Sequence, residues 1–90
     1  MDVQMRHLRY FVVVAEESNF APAAQGIHIA QQARSAQVEQ LERELGVTLL
    51  ERSTRAVSLT PAGVEYLEDA RAILAHVERA STDVTKVLGA

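Results

Sequence analysis

Residues 27–46 read IHIAQQARSAQVEQLERELG, a stretch that predicts a turn followed by a helix with two different halves. The second half is acidic and contains Glu39, Glu42 and Glu44. The first half has no carboxylate, although the chain carries a net charge of −3. Its side chains with hydrogen-bonding tips are Gln31, Gln32, Arg34, Ser35 and Gln37. This asymmetry has to be explained by what the front of the helix faces.

The helix itself is predicted to run from Gln31 to Leu45, after a tight connection at residues 28–30. Its apolar positions recur with helical spacing, and Gly46 is a suitable stop because glycine tolerates the left-handed backbone found at helix ends. The apolar stripe consists of Val38, Leu41 and Leu45.

The composition indicates a packed globule, because 48% of the 90 residues are hydrophobic, and the length fits one small domain or one piece of a larger chain. Cysteine is absent, which excludes disulfides and thiolate zinc sites, and the scattered histidines suggest no metal or other cofactor. The longest apolar run, Tyr10–Ala15, is far shorter than the roughly 18 residues of a membrane span. We therefore expect a cytoplasmic protein without a membrane partner.

The charge distribution is more informative than the net charge. Residues 18–38 contain Arg34 and no acid, and residues 52–64 contain Arg52 and Arg55 and no acid. Two such patches could form a local positive face on an acidic body. Ordinary solvated charge on helix surfaces explains the same pattern equally well at this point.

Two further helices are predicted before the central one. The first runs from about Gln4 to Ser18, with an amphipathic stripe of Leu8, Phe11, Val12 and Ala15. The second is short and begins at Pro22, a residue suited to the first helical position. Its expected buried face is Ala23, Ala24 and Ile27.

The chain after Gly46 predicts a small β-hairpin and then a long helix. Apolar residues alternate on both sides of a polar tip, Ser53-Thr54-Arg55, within residues 49–59. Thr60 followed by Pro61 is a typical helix start, a capping residue and a first-turn proline. The last helix is predicted from Pro61 to about Val87.

This last helix carries apolar residues at alternating spacings of three and four, the pattern of a coiled-coil seam. We favour pairing of this seam with a second copy of the chain over packing within the domain. The predicted dimerisation residues are Leu67, Ala70, Leu74, Val77, Ser81, Val84 and Leu88.

The order of elements is that of a mainly α, winged helix-turn-helix fold: three helices and a small β-hairpin wing, followed by a long linker helix for dimerisation. We expect residues 1–60 to form the winged domain and residues 61–90 the linker helix. In this architecture the front of the third helix enters the major groove of DNA. The absence of carboxylates there is then explained by repulsion from the phosphates.

The segments RHLRYFVVVAEESNF, AAQGIHIAQQARSAQVEQLERELGVTLLER and VSLTPAG resemble, in order and spacing, the N-terminal DNA-binding domain of LysR-type transcriptional regulators. The resemblance extends from residue 5 to about residue 88. Its most specific part is LERELG, LLER and LTPAG at fixed distances. Molybdate-responsive regulators carry a similar winged domain.

The resemblance implies sequence-specific binding of double-stranded DNA by a homodimer on an inverted-repeat operator. It also implies a missing C-terminal domain that binds a small-molecule effector, and it leaves a tetramer open for the full-length protein. Arg52 and Arg55 match the family's hairpin arginines, with Arg55 at the minor groove and Thr54 beside it at the tip. The positions that match base and phosphate contacts on the helix are Gln31, Gln32, Ala33, Ser35 and Ala36.

Several positions depart from the family pattern. Ala21 and Ala30 stand where Ser or Thr usually caps the second and third helices, and Ala36 replaces a frequent arginine. Gln32 replaces a common proline and adds a possible base reader. Arg34 replaces an aliphatic residue on the buried stripe, and we expect its stem to lie along the core with its guanidinium outward, towards phosphate.

Other interpretations stay open at this stage. Arg52 could pair with Glu51 or Glu42 as a surface ion pair, which would contribute little. A helical dimer that has lost DNA binding and docks another protein is the alternative function. An enzyme is not expected, because the sequence has no nucleophile with a base, no phosphate loop and no metal-ligand set.

Overall fold

The computed structural model describes residues 1–17, 28–53 and 56–89, together with their side chains outside residues 28–33. The predicted short helix at Pro22 and the tip residues Thr54 and Arg55 lie outside the described residues. The described elements are, in order, α1 (Met5–Glu17), α2 (His28–Leu45), β1 (Leu50–Arg52), β2 (Val57–Leu59) and α3 (Pro61–Gly89).

Helix α1 agrees closely with its predicted bounds and with its predicted stripe. Leu8, Phe11 and Ala15 are buried in the core. The helix start is capped from within, since the backbone N–H of Gln4 donates to Nδ1 of His7 at 3.0 Å and the N–H of His7 donates to the carbonyl of Gln4 at 3.0 Å. This reciprocal pair satisfies polar groups that a helix end otherwise leaves unpaired.

Helix α2 begins three residues earlier than predicted, at His28 rather than at Gln31. The predicted tight connection at residues 28–30 is therefore wrong, and Ala30 lies within the helix rather than at its cap. Alanine has the highest helix propensity of all residues, so a helical backbone through Ala30 has no local cost. Further along the helix, Val38 and Leu41 are fully buried as predicted.

Gly46 ends α2 as the sequence predicted, in a left-handed conformation with φ of 71°. The N–H groups of Gly46 and Val47 both donate to the carbonyl of Glu42, at 2.8 and 3.2 Å. These bonds are typical of a helix that ends at a glycine. They turn the chain sharply towards the hairpin.

The predicted hairpin is present as an antiparallel pair in which Leu50 lies opposite Leu59 and Arg52 opposite Val57. Thr60 caps α3 as predicted, because its Oγ1 accepts from the N–H of Gly63 at 3.0 Å. The same hydroxyl donates to the carbonyl of Thr48 at 2.7 Å. One threonine therefore joins the start of α3 to the chain before the hairpin.

The core lies between α1, α2 and the first turns of α3, and the base of the hairpin closes one end. Its aromatic contact pairs Phe11 of α1 with Tyr66 of α3, with ring centroids 5.8 Å apart. Among the described residues, no helix combines the length and the hydrophobicity of a membrane-spanning segment. The buried apolar residues are Leu8, Phe11, Ala15, Val38, Leu41, Leu49, Leu50, Leu67 and Ala70.

Candidate nucleic-acid interface

The front half of α2 carries most of the predicted contact residues. Gln31, Gln32 and Ala33 lie on the helical backbone, in the part whose side chains are not described. Ala36 is exposed, whereas Ser35 and Gln37 are half-buried. Oε1 of Gln37 is buried without a hydrogen-bond partner in the described structure. Ala36 is therefore more exposed to solvent than Ser35 or Gln37.

Arg34 does not extend outward as the sequence analysis expected. Its Nη1 lies 2.6 Å from Oε1 of Glu17, the last residue of α1. The Arg34 side chain is 29% exposed, so most of it lies against neighbouring atoms. Sequence reasoning missed Glu17, because residues 17 and 34 are brought together only by the packing of α1 on α2. The ion pair ties the front half of α2 to the end of α1.

Arg52 is also paired, as the alternative interpretation of the sequence allowed. Its Nη1 lies 3.3 Å from Oε1 of Glu42, whose side chain is only 13% exposed. Oε2 of Glu42 accepts from the N–H groups of Leu49 and Leu50, at 2.7 and 3.1 Å. Glu42 is therefore the residue that fixes the base of the wing to α2.

These two ion pairs reduce the positive charge that the acid-free patches can present to a ligand. Arg34 and Arg52 belong to the two patches without acids, yet each is neutralised by a carboxylate from outside its own patch. Arg55 is the remaining cation of the two patches, and it lies outside the described residues. Next to it, the Oγ of Ser53 accepts a hydrogen bond from the N–H of Ala56 at 3.0 Å.

The predicted dimerisation seam divides into two parts with different environments. Its first part lies inside the domain, because Leu67 and Ala70 are buried in the core and Leu74 packs against it. The assignment of Leu67 and Ala70 to a contact between copies is therefore wrong. A single seam was predicted because a helix that packs first on its own domain and then on a partner keeps the same apolar spacing throughout.

The second part of α3 is exposed and apolar on one side. Val84 is 62% and Leu88 83% exposed, and Val77 is 40% exposed. Ser81 is also exposed, and its hydroxyl donates back to the carbonyl of Val77 at 2.9 Å. The exposed apolar positions recur at helical spacing and include residues that the seam missed. They are Ile73, Val77, Ala80, Val84, Val87 and Leu88, which we call the α3 stripe.

The sequence matches the family described as "Bacterial regulatory helix-turn-helix protein, lysR family" over residues 5–64. It is 48% identical to the HTH-type transcriptional regulator TfdT of Cupriavidus pinatubonensis, over 88% of this chain and 35% of that protein. It is 49% identical to the HTH-type transcriptional regulator ClcR of Pseudomonas putida, over 94% of this chain and 27% of that protein. The chain thus spans about a third or less of the length of these relatives.

Two solved structures have the same fold. A crystal structure of the BenM DNA-binding domain with catB site 1 DNA matches with a TM-score of 0.82 at 40% identity, over 98% of this chain and 99% of that one. A crystal structure of the CbnR DNA-binding domain with DNA matches with a TM-score of 0.78 at 44% identity, over 98% and 100%. These similarities confirm the predicted winged helix-turn-helix fold. The relatives are named as transcriptional regulators and not as enzymes.

Proposed function

Because the chain belongs to the lysR family of bacterial regulatory helix-turn-helix proteins, we propose that it binds double-stranded DNA sequence-specifically and regulates transcription. The observation that carries the proposal is the agreement of almost the whole fold with a domain solved on its DNA. That agreement counts against the protein-interaction module that the sequence alone left open.

The front half of α2 is the proposed reading element. An α-helix fits the major groove, where glutamine amides can bond adenine at N6 and N7 and small methyl groups can contact thymine. Gln31, Gln32 and Ser35 would supply the polar contacts, and Ala33 and Ala36 the apolar ones. The acids from Glu39 onward lie further along α2, where the helix would leave the groove.

The wing would hold the domain on the DNA without reading much of its sequence. Arg52 is engaged by Glu42, so Arg55 is the proposed cation at the minor groove, with Thr54 beside it. A narrow minor groove attracts arginine through its enhanced negative potential. The contact would thus favour A·T-rich flanks and contribute to affinity on any duplex.

The α3 stripe is the proposed contact between two copies of the chain. An apolar helix face of this length is unfavourable in water and is covered when a second copy packs against it. A two-fold dimer presents two identical α2 helices, which fits an inverted-repeat operator. We propose that residues 1–60 bind DNA and that residues 61–90 form the linker helix, whose first turns also complete the core.

This chain spans 35% of TfdT and 27% of ClcR, and we extend the proposal to a protein of their length. We propose that it works in the cytoplasm, where bacterial DNA lies. A small-molecule effector would bind in additional chain such as the relatives have, and tetramer formation would also depend on that part.

The proposed function is tested by separating base reading from phosphate binding. The operator is first obtained by selection from genomic fragments, and variants are then titrated on operator and scrambled duplexes at several salt concentrations. Gln31→Ala should weaken operator binding by about 1–3 kcal/mol and leave scrambled DNA nearly unaffected. Arg55→Ala should weaken both and flatten the salt dependence by roughly one unit of slope.

Lys86→Ala is the matched control for the arginine substitution, since Lys86 is an exposed cation near the end of α3. It should leave both affinities and the salt slope unchanged. An absence of DNA binding by the unmodified chain, or equal behaviour of all three variants, would refute the proposed function.

A further inference from the structure

Helix α1 ends on two adjacent carboxylates, Glu16 and Glu17, and has no basic residue in its last turn. The C-terminal end of a helix carries partial negative charge from its unpaired carbonyls, so acids are unfavourable there. Glu16 and Glu17 are exceptions to this charge preference. Their position is explained by what they bind on the neighbouring helices.

Each glutamate pairs with an arginine of a different helix. Glu17 contacts Arg34 of α2 at 2.6 Å, and Glu16 contacts Arg71 of α3 at 3.2 Å. The Arg34–Glu17 pair is also the less exposed, at 29% and 39% for its two side chains against 53% and 49% for the other pair. A shorter and better-shielded pair loses less to solvent screening. Arg34 is therefore the more firmly held of the two arginines.

The Arg34–Glu17 pair removes the net charge of the whole front of α2. Arg34 is the one charged residue between positions 18 and 38. It lies four residues before the buried Val38, on the helix side that packs inward. Its charge is thus both neutralised and held on the side of α2 that faces the domain.

We propose that Glu17 is a specificity-determining residue and that Arg34 is a positioning residue rather than a phosphate contact. This proposal rests on the proposed DNA binding. Non-specific affinity comes mainly from cations that release counterions from the phosphates. By holding Arg34 against α1, Glu17 withholds a cation from every duplex and leaves discrimination to the neutral side chains of α2.

The first test compares the salt dependence of binding to a mixed-sequence duplex for three variants. The double variant Glu17→Gln/Arg34→Met should leave the slope unchanged, because it removes both charges of the pair together and, on this proposal, no phosphate contact. Glu17→Gln should free the guanidinium, steepen the slope by about one unit and tighten binding to mixed-sequence DNA. The ratio of operator affinity to mixed-sequence affinity should then fall.

Glu16→Gln is the matched control, because it makes the same change of charge one residue away and releases Arg71 of α3 instead. Its effect on the slope should be clearly smaller than that of Glu17→Gln. Equal slopes for these two variants would overturn the proposal. A slope flattened by about one unit in Glu17→Gln/Arg34→Met would overturn it too, since Arg34 would then contact a phosphate.

A thermal double-mutant cycle tests the positioning role without DNA. Glu17→Gln and Arg34→Met should each lower the melting temperature, and the double variant should lose clearly less than their sum. Additive losses would show that the pair does not couple α1 to α2. If the unmodified chain binds no duplex, the proposed function fails and the role in specificity fails with it, whereas the cycle still decides the ion pair.

Discussion

Gly63 lies directly against the backbone of Leu49, so that a methyl group added to the glycine would overlap the Leu49 carbonyl oxygen. The same carbonyl accepts a hydrogen bond from the N–H of Thr60 at 3.0 Å. The oxygen is therefore held on the α3 side and cannot move aside without losing this bond. The close approach of the first turn of α3 to the base of the wing requires glycine at position 63.

Gly63→Ala should lower the free energy of unfolding by at least about 1–3 kcal/mol, the usual cost of forcing extra volume into a packed site. Gly89→Ala is the control, since an added methyl group there meets no atom within 4 Å. Urea denaturation of both variants measures the difference. Equal stability of the two would show that α3 does not pack on the wing as described.

Removal of the Glu42 carboxylate should loosen the wing. Glu42→Ala leaves the N–H groups of Leu49 and Leu50 without their acceptor, and an unpaired buried polar group costs about 1–3 kcal/mol. Glu44→Ala on the same helix loses only an exposed bond to the N–H of Asp2 and should change stability by less than about 0.5 kcal/mol. Hydrogen exchange of the Leu49 and Leu50 amides should accelerate in Glu42→Ala alone.

The dimer proposal is best tested in the α3 stripe, away from the core. Val84→Glu places a carboxylate in the proposed contact, which should raise the dimer dissociation constant by at least about tenfold, or 1.4 kcal/mol. Thr82→Glu adds the same charge on the opposite side of the helix and should leave the dimer intact. Sedimentation equilibrium distinguishes them. A parent chain that is monomeric at high concentration would refute the proposed contact.

The stability of the domain should decline at alkaline pH through Tyr66. Burial raises the pKa of the Tyr66 phenol above its ordinary value of 10.0, and the carboxylate of Asp69 raises it further. The folded state thus favours the protonated phenol, and this preference stabilises the fold. The stabilisation is fully present below pH 10 and is lost as the pH rises through the higher pKa of the folded state.

Melting temperatures measured across pH 10 should therefore fall less for Tyr66→Phe than for the parent. Asp69→Asn removes the smaller cause of the pKa shift, so its melting temperature should fall by an intermediate amount over the same pH range. A decline of equal size in all three proteins would assign the alkaline loss to other groups.

Local rules explain the parts of the fold that the sequence predicted well. The bounds of α1, the stop at Gly46, the hairpin and the cap at Thr60 each depend on residues a few positions apart. Side-chain periodicity and capping act over that range, so the pattern of letters contains the necessary information. The start of α2 was predicted less well, because the absence of a capping side chain at Ala30 does not prevent a helix from continuing through it.

The family and the acid-free front of α2 were determined by the sequence alone, because motif spacing and the order of charges are properties of the chain itself. Only the tertiary structure decided which carboxylates neutralise Arg34 and Arg52, and which part of the α3 seam is used within the domain. Glu17 meets Arg34 across a helix contact, and Leu67 enters the core for the same reason that Val84 would enter a dimer. Burial of an apolar side chain and pairing of a charge depend on proximity in space, which the spacing of residues along the chain does not specify.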